Sequence, residues 1–208
     1  MSLGQLSERA SGVSQCQRPW QLGIANHPTL IDVVDLSAHM PQADCIVKAG
    51  LWRNPFLRWP VSWASYIPND ADKPEELLAR CAAKLKAGRS LIVFPEGTRG
   101  AGDMISPRAG AAYLAMVTGA PVVPVSFLGT RMPGGADGSI PPRGSRIAMT
   151  FGDPVHLERT PWPRTRQQVD ESARAVTAAI LQTLRAAAQT TCTALPGPHG
   201  TKREQKKA

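Results

Sequence analysis

Two short segments of the chain carry side chains able to move a proton or hold an anion. In Ala25-Asn26-His27-Pro28-Thr29-Leu30-Ile31-Asp32, an imidazole and a carboxylate stand five residues apart. With His27 on a strand-to-helix turn and Asp32 in the first turn of the following helix, the carboxylate reaches one ring nitrogen. It then fixes the tautomer and stabilises the imidazolium, leaving the other nitrogen to take a proton from a bound hydroxyl. No serine stands at a fixed spacing to act as nucleophile, so that hydroxyl would be a substrate's. Alone, the same two residues also fit a helix cap beside a solvated histidine. The second segment is Phe94-Pro95-Glu96-Gly97-Thr98-Arg99. A Glu, a Gly and an Arg together make a turn with exposed amides and a cation suited to an anion. They equally fit a surface turn closed by a Glu–Arg ion pair.

The elements that must position these residues alternate between strand and helix. Residues 21–25 are short and apolar enough for a strand that ends at Asn26. Thr29 is placed to cap a helix over 31–37, with Asp32 in its first turn, where the macrodipole favours a carboxylate. A strand is expected over 44–48. Residues 74–86 read as an amphipathic helix with Pro74 at its start and Gly88 as its stop. The run Ser90-Leu91-Ile92-Val93-Phe94 is continuous enough for a buried strand. A helix over 110–118, strands over 121–128 and 146–151, and an Ala-rich helix over 165–188 complete the pattern, with 131–144 as a Gly- and Pro-rich loop. This rhythm predicts an α/β fold with a mostly parallel sheet flanked by helices. In such folds, sites gather where strands end and helices begin.

The domain organisation follows from the same reading: a polar segment over 1–19, one domain over 20–188, and a basic tail over 189–208 expected to be disordered. The uncharged stretch 109–130 is long enough to span a bilayer, but Gly119, Pro121 and Pro124 break it into a short helix and a strand. Residues 1–18 lack the apolar core of a signal peptide. Cys16, Cys45, Cys81 and Cys192 are scattered without a C-x-x-C pair or a His at ligand spacing, which excludes a zinc site and favours reduced thiols in a cytoplasmic compartment. With 208 residues, 42 % apolar and 19 % charged, the chain is long enough for its own core and is neither disordered nor fibrous. Its net charge is +8, of which Lys202, Arg203, Lys206 and Lys207 against Glu204 place three units in the tail. A basic excess calls for an anionic partner, and the absence of recognition motifs argues against nucleic acid.

Taken together, N-H-x-x-x-x-D and, about seventy residues later, F-P-E-G-T-R resemble the motifs of the glycerolipid acyltransferase family, which includes the 1-acylglycerol-3-phosphate acyltransferases. Asn26, His27 and Asp32 match the first motif and Phe94 to Arg99 the third. Val122-Val123-Pro124-Val125 resembles the fourth, and Arg108-Ala109-Gly110-Ala111 a basic-x-Gly-Ala segment. Lys48 stands where the family has a lysine. The resemblance covers about residues 21–154. It implies acyl transfer from an acyl thioester, acyl-CoA or acyl carrier protein, to the hydroxyl of a lysophosphatidate-like or other lipid acceptor. His27 would be the general base and Asp32 its orienting partner. Asn26, Lys48, Glu96, Gly97, Thr98 and Arg99 would bind substrate, with Arg99 on the acceptor phosphate. No metal, no cofactor and no covalent acyl-enzyme are implied. A second possibility is a lipid- or carrier-binding module that kept the fold and lost turnover.

The second family motif departs from the pattern. Its arginine falls at Asn69 or Ala71, and losing one charge-assisted phosphate contact costs about 1.5–3 kcal/mol. Lys48, Arg58 or Lys73 would have to substitute, or the acceptor is not a glycerol phosphate. The same stretch also resembles acyltransferases of aryl-polyene pathways. Family members carry apolar helices before the first motif, and here about twenty polar residues precede it, so either the natural chain begins earlier or another element meets the bilayer. Trp52, Phe56, Trp59 and Trp63 fall on one helical face beside Arg53 and Arg58, a composition suited to the headgroup boundary. Pro55 and Pro60 argue against a straight helix, and such stripes are often core. The expected location is the inner face of the cytoplasmic membrane.

Overall fold

A computed structural model describes residues 7–15, 18–29, 31–48, 66–69, 73–97, 102–104, 107–131, 141 and 144–196. Seven strands form one sheet: β1 (Ser7–Ser11), β2 (Leu22–Ala25), β3 (Ala43–Lys48), β4 (Ile67–Asn69), β5 (Ser90–Val93), β6 (Val122–Leu128) and β7 (Arg146–Phe151). Among the described residues the α-helices are α1 (Ile31–His39), α2 (Pro74–Lys86), α3 (Gly110–Thr118) and α4 (Arg166–Thr191). Strand order is β1-β7-β6-β2-β5-β3-β4. Every neighbouring pair is parallel except β6 with β7.

The central strands are buried on both faces, which is why they read as unbroken apolar runs. On one face, Leu22, Ile24, Leu91, Val122 and Leu128 join Cys81, Leu85, Ala111, Leu114 and Ile180 beneath α2, α3 and α4. On the other, Val123, Val125, Phe127, Ile92 and Cys45 meet Val33, Leu36 and Met40 beneath α1. Alternate residues of β6 therefore feed two cores, as the period of a strand requires. Pro124 is tolerated inside the sheet for a positional reason. The β6–β7 ladder begins at Val125 with Phe151, so the missing N–H of Pro124 falls beyond its end, where its carbonyl still accepts from Gly152 N–H at 2.8 Å.

The stretch 109–130 divides into α3 and β6 with Gly119 between them at φ +77°. No helix among the described residues is long and apolar enough to cross a membrane. Helix α4 opens on a capping box, in which Thr165 and Gln168 exchange side-chain and backbone bonds. It runs to Thr191, beyond the expected boundary near residue 188. Two strands depart from the sequence expectation. β1 lies inside the polar segment 1–19 and pairs with β7 in parallel. β4 is a three-residue edge strand on β3 that no hydrophobic pattern announced.

Candidate active site

β2 and β5 are neighbours, so the first and third motifs leave the sheet side by side at its carboxyl edge. His27 follows β2 by two residues, and its Nδ1 lies 3.3 Å from Asp32 Oδ2. Asp32 is fully buried in α1, whereas the His27 side chain remains 12 % exposed. The carboxylate is held from behind: Thr29 N–H donates to Oδ2 at 2.6 Å and the Thr29 hydroxyl to Oδ1 at 3.0 Å. Thr29 was expected to cap the helix by accepting a bond. It donates instead, because a buried carboxylate one turn on needs the donors more than the helix end needs an acceptor. The His27 ring lies against Phe94, with centroids 4.3 Å apart and planes at 31°. With Nδ1 turned to Asp32, Nε2 is the nitrogen left to exchange a proton with a substrate.

The backbone at His27 is fixed from two sides. Glu96 Oε1 accepts His27 N–H at 2.9 Å, and Oε2 accepts Gly102 N–H at 3.2 Å. Asn26 continues the β2–β6 ladder with its side chain. Its Oδ1 accepts Phe127 N–H at 2.7 Å, and its Nδ2 donates to Phe127 O at 3.0 Å and Gly102 O at 3.2 Å. Gly102 thus gives its N–H to Glu96 and its carbonyl to Asn26. It does so at φ +73°, where a Cβ would lie 2.6 Å from Pro28 Cγ. Burial raises Glu96 above the ordinary carboxylate range, and the two backbone N–H donors only partly offset this. Pro95 and Glu96 form a tight turn closed by Gly97 N–H to Phe94 O at 2.9 Å. Gly97 has φ +69°, and the Arg108 guanidine crosses the place a Cβ would take.

A family model described as Acyltransferase matches residues 13–128, which hold both of these motifs. The chain belongs to the acyltransferase family. It is 32 % identical over 134 residues to a chloroplastic 1-acyl-sn-glycerol-3-phosphate acyltransferase of Brassica napus, covering 62 % of this chain and 37 % of that one. It is also 32 % identical over 111 residues to the 1-acyl-sn-glycerol-3-phosphate acyltransferase of Helicobacter pylori, covering 51 % and 44 %. The chain thus spans about two fifths of the length of these relatives. The fold is similar to that of the 1-acyl-sn-glycerophosphate acyltransferase PlsC from Thermotoga maritima, with a TM-score of 0.62 at 22 % identity over 85 % of this chain and 72 % of that one.

Seen against the acyltransferase motifs, the predicted residues separate into groups. His27 and Asp32 meet, and Asn26, Glu96 and Gly97 surround them. Asn26, expected to bind substrate, is wholly buried with both amide hydrogens committed to backbone carbonyls. Glu96 likewise spends an oxygen on each of two backbone amides. Lys48 ends β3 and stands opposite Asn69 in the β3–β4 register, so one of the two positions expected for the second-motif arginine adjoins the lysine, and the other, Ala71, lies outside the described residues. Thr98, Arg99, Arg58 and the stripe from Trp52 to Trp63 lie outside the described residues. Among the described residues no group of three or more His, Cys, Asp or Glu is arranged to hold a metal ion. Cys45, Cys81 and Cys192 are free thiols, and burial pushes Cys45 up to about 12 and Cys81 to about 11, which keeps both protonated.

Sequence reasoning missed Phe94 as the platform for the imidazole, and it missed Gly102. The signal for Gly102 was faint: a Gly-Asp pair a few residues past E-G-T-R.

Proposed function

We propose that the chain catalyses acyl transfer from an acyl thioester, acyl-CoA or acyl carrier protein, to the hydroxyl of a lysophosphatidate-like lipid acceptor. The observation that carries this reading is the His27–Asp32 pair, buried at the carboxylate and open at the imidazole. In the proposed reaction the acceptor hydroxyl gives its proton to His27 Nε2 as its oxygen attacks the thioester carbonyl. The tetrahedral oxyanion collapses, the carbon–sulfur bond breaks, and the leaving thiolate takes the proton back from Nε2. Asp32 keeps Nδ1 as the protonated nitrogen throughout and faces the imidazolium while it exists. No cofactor is needed, since the thioester is itself a substrate.

The curated relatives are named for 1-acyl-sn-glycerol-3-phosphate as acceptor, which supports a phosphorylated acceptor here. On that reading Lys48, Gly97, Thr98 and Arg99 take its anionic group, and Asn26 and Glu96 position His27. A lipid acceptor further implies peripheral contact with the inner face of the cytoplasmic membrane.

The test is thiol release from labelled acyl donors offered with a panel of lipid acceptors, with products read by mass spectrometry. The wild type should release thiol only with an acceptor present, and His27→Ala should lose the activity. Equal rates in the two proteins would retire the enzyme and leave a binding module of the same fold. Rapid acylation of lysophosphatidate would set aside the aryl-polyene alternative.

A further inference from the structure

Trp162 is the most exposed large hydrophobic side chain among the described residues, at 78 %. It sits in Arg159-Thr160-Pro161-Trp162-Pro163-Arg164-Thr165-Arg166, where three arginines surround one indole. The indole contributes nothing to the core and presents its apolar area to water.

The segment is held firmly. Thr160 N–H donates to Met116 O at 3.1 Å, and the Arg164 guanidinium lies 5.6 Å from the Tyr113 ring centre. The capping box at Thr165 fixes the entry into α4. Two flanking prolines restrict the backbone further. Little conformational freedom is therefore lost when the indole is buried against a partner.

Its position follows from the same contacts. Arg159 lies beside Gly119, just past the end of α3, Thr160 reaches Met116, and Arg164 reaches Tyr113 in the first turn. The segment thus climbs along α3 towards the helix start. That start follows Arg108, whose N–H donates to Pro95 O in the turn beside Glu96. Trp162 therefore lies alongside α3, between the levels of Met116 and Tyr113.

We propose that the Trp162 segment docks the protein on the surface of an anionic phospholipid bilayer, with the indole at the headgroup boundary and Arg159 and Arg166 on lipid phosphates. An indole seats best where one side is apolar and the other wet, and neighbouring cations add attraction to an anionic leaflet. Arg164 is engaged by Tyr113, whereas Arg166 is 96 % exposed and meets Asp170 only at 3.9 Å. This gives the membrane contact of the function proposed above a place on the described surface, one distinct from the Trp52–Trp63 stripe.

The test is co-sedimentation of the full chain with phosphatidylcholine vesicles, with and without phosphatidylglycerol. The wild type should bind the anionic vesicles and release with salt. Trp162→Ser should lower binding about tenfold, and Arg159→Ser with Arg166→Ser about tenfold on anionic vesicles and little on neutral ones. Trp59→Ser with Trp63→Ser measures the stripe in the same assay. Trp162, Arg159 and Arg166 are exposed side chains, and thermal melts check the folding of every variant. A wild type that does not sediment with anionic vesicles overturns the proposal, as does a folded Trp162→Ser variant that binds like wild type. Binding is read without turnover, so this outcome and the failure of the acyl-transfer reading are distinguished.

Discussion

Asp32 approaches His27 Nδ1 with the same oxygen, Oδ2, that accepts the N–H of Thr29. The turn between them is therefore closed by the group that orients the base, and the tautomer of His27 depends on the local fold. Asp32→Asn keeps the size and one acceptor oxygen but removes the carboxylate that faces the imidazolium. The expected result is a loss of about 10²–10⁴-fold in kcat for acyl transfer. Stability should fall by about 1–3 kcal/mol from the mismatched Thr29 bonds. Steady-state thiol release and urea unfolding on the same preparation separate the two effects. A kcat within twofold of wild type would remove Asp32 from the mechanism.

Asn26 binds both polar groups of the Phe127 backbone, and no substitution reproduces that. Asn26→Asp still accepts from Phe127 N–H, but its second oxygen then faces the carbonyls of Phe127 and Gly102 where a donor stood. A buried carboxylate against two acceptors favours its protonated form. The variant should be destabilised by about 2–4 kcal/mol at neutral pH, and less in acid, where the carboxyl again has a proton to donate. Denaturant midpoints of wild type and variant across the acid range check this. A constant difference would show that the two carbonyls do not matter.

The site was legible where its residues are close in sequence. His27 and Asp32 share one turn and its helix, so their spacing put the two within reach, and the F-P-E-G-T-R motif favoured that over a helix cap beside a solvated histidine. The roles of Asn26 and Glu96 were not legible, because each is defined by a backbone group far along the chain: Phe127 and Gly102 for Asn26, and His27 for Glu96. The alternation of strands and helices was readable from apolar runs buried on both faces. β1 escaped because Ser7-Glu8-Arg9-Ala10-Ser11 has no apolar alternation and exists as a strand only through its pairing with β7. Asp44 passed as an ordinary strand residue, yet it is fully buried and paired with Arg89 at 2.8 Å and Lys84 at 3.3 Å. Its partners lie on α2 and on the residue before β5, which no local pattern links to it.

Gly102 and Gly88 both have positive φ, but only the first is crowded. At Gly88 nothing lies within 4 Å of an added Cβ, whereas at Gly102 the neighbour is Pro28. Gly88→Ala should cost about 1 kcal/mol, the backbone penalty alone. Gly102→Ala should cost more, and it should lower kcat even after correction for unfolded protein, since Pro28 adjoins His27 and Gly102 carries the bonds to Glu96 and Asn26. Melting temperatures and kcat for the pair give the comparison. Equal losses in both would show that Gly102 is only a turn residue.

Asp44 and Glu96 should give opposite pH signatures. Burial works to raise Asp44, but the hydrogen bonds and charges of Arg89 and Lys84 outweigh it and hold the group below its ordinary 3.8. Stability from Asp44 is therefore present above that value and lost as the pH falls through the lower folded pKa. Glu96 is displaced the other way, above its ordinary 4.5, by burial, which its two backbone N–H donors only partly offset. Its contribution is fully present below that value and lost as the pH rises through the folded pKa, because the native state then holds the proton more tightly than the unfolded chain. Asp44→Asn should flatten the acid limb of the stability profile below about pH 4 and cost about 1–3 kcal/mol at neutral pH, reduced because its cationic partners are half-exposed. Glu96→Gln should instead flatten the profile above about pH 4.5, leaving the acid limb unchanged. Urea midpoints measured across the acid range distinguish the two variants, and a Glu96→Gln profile parallel to wild type would show that Glu96 does not titrate in that window.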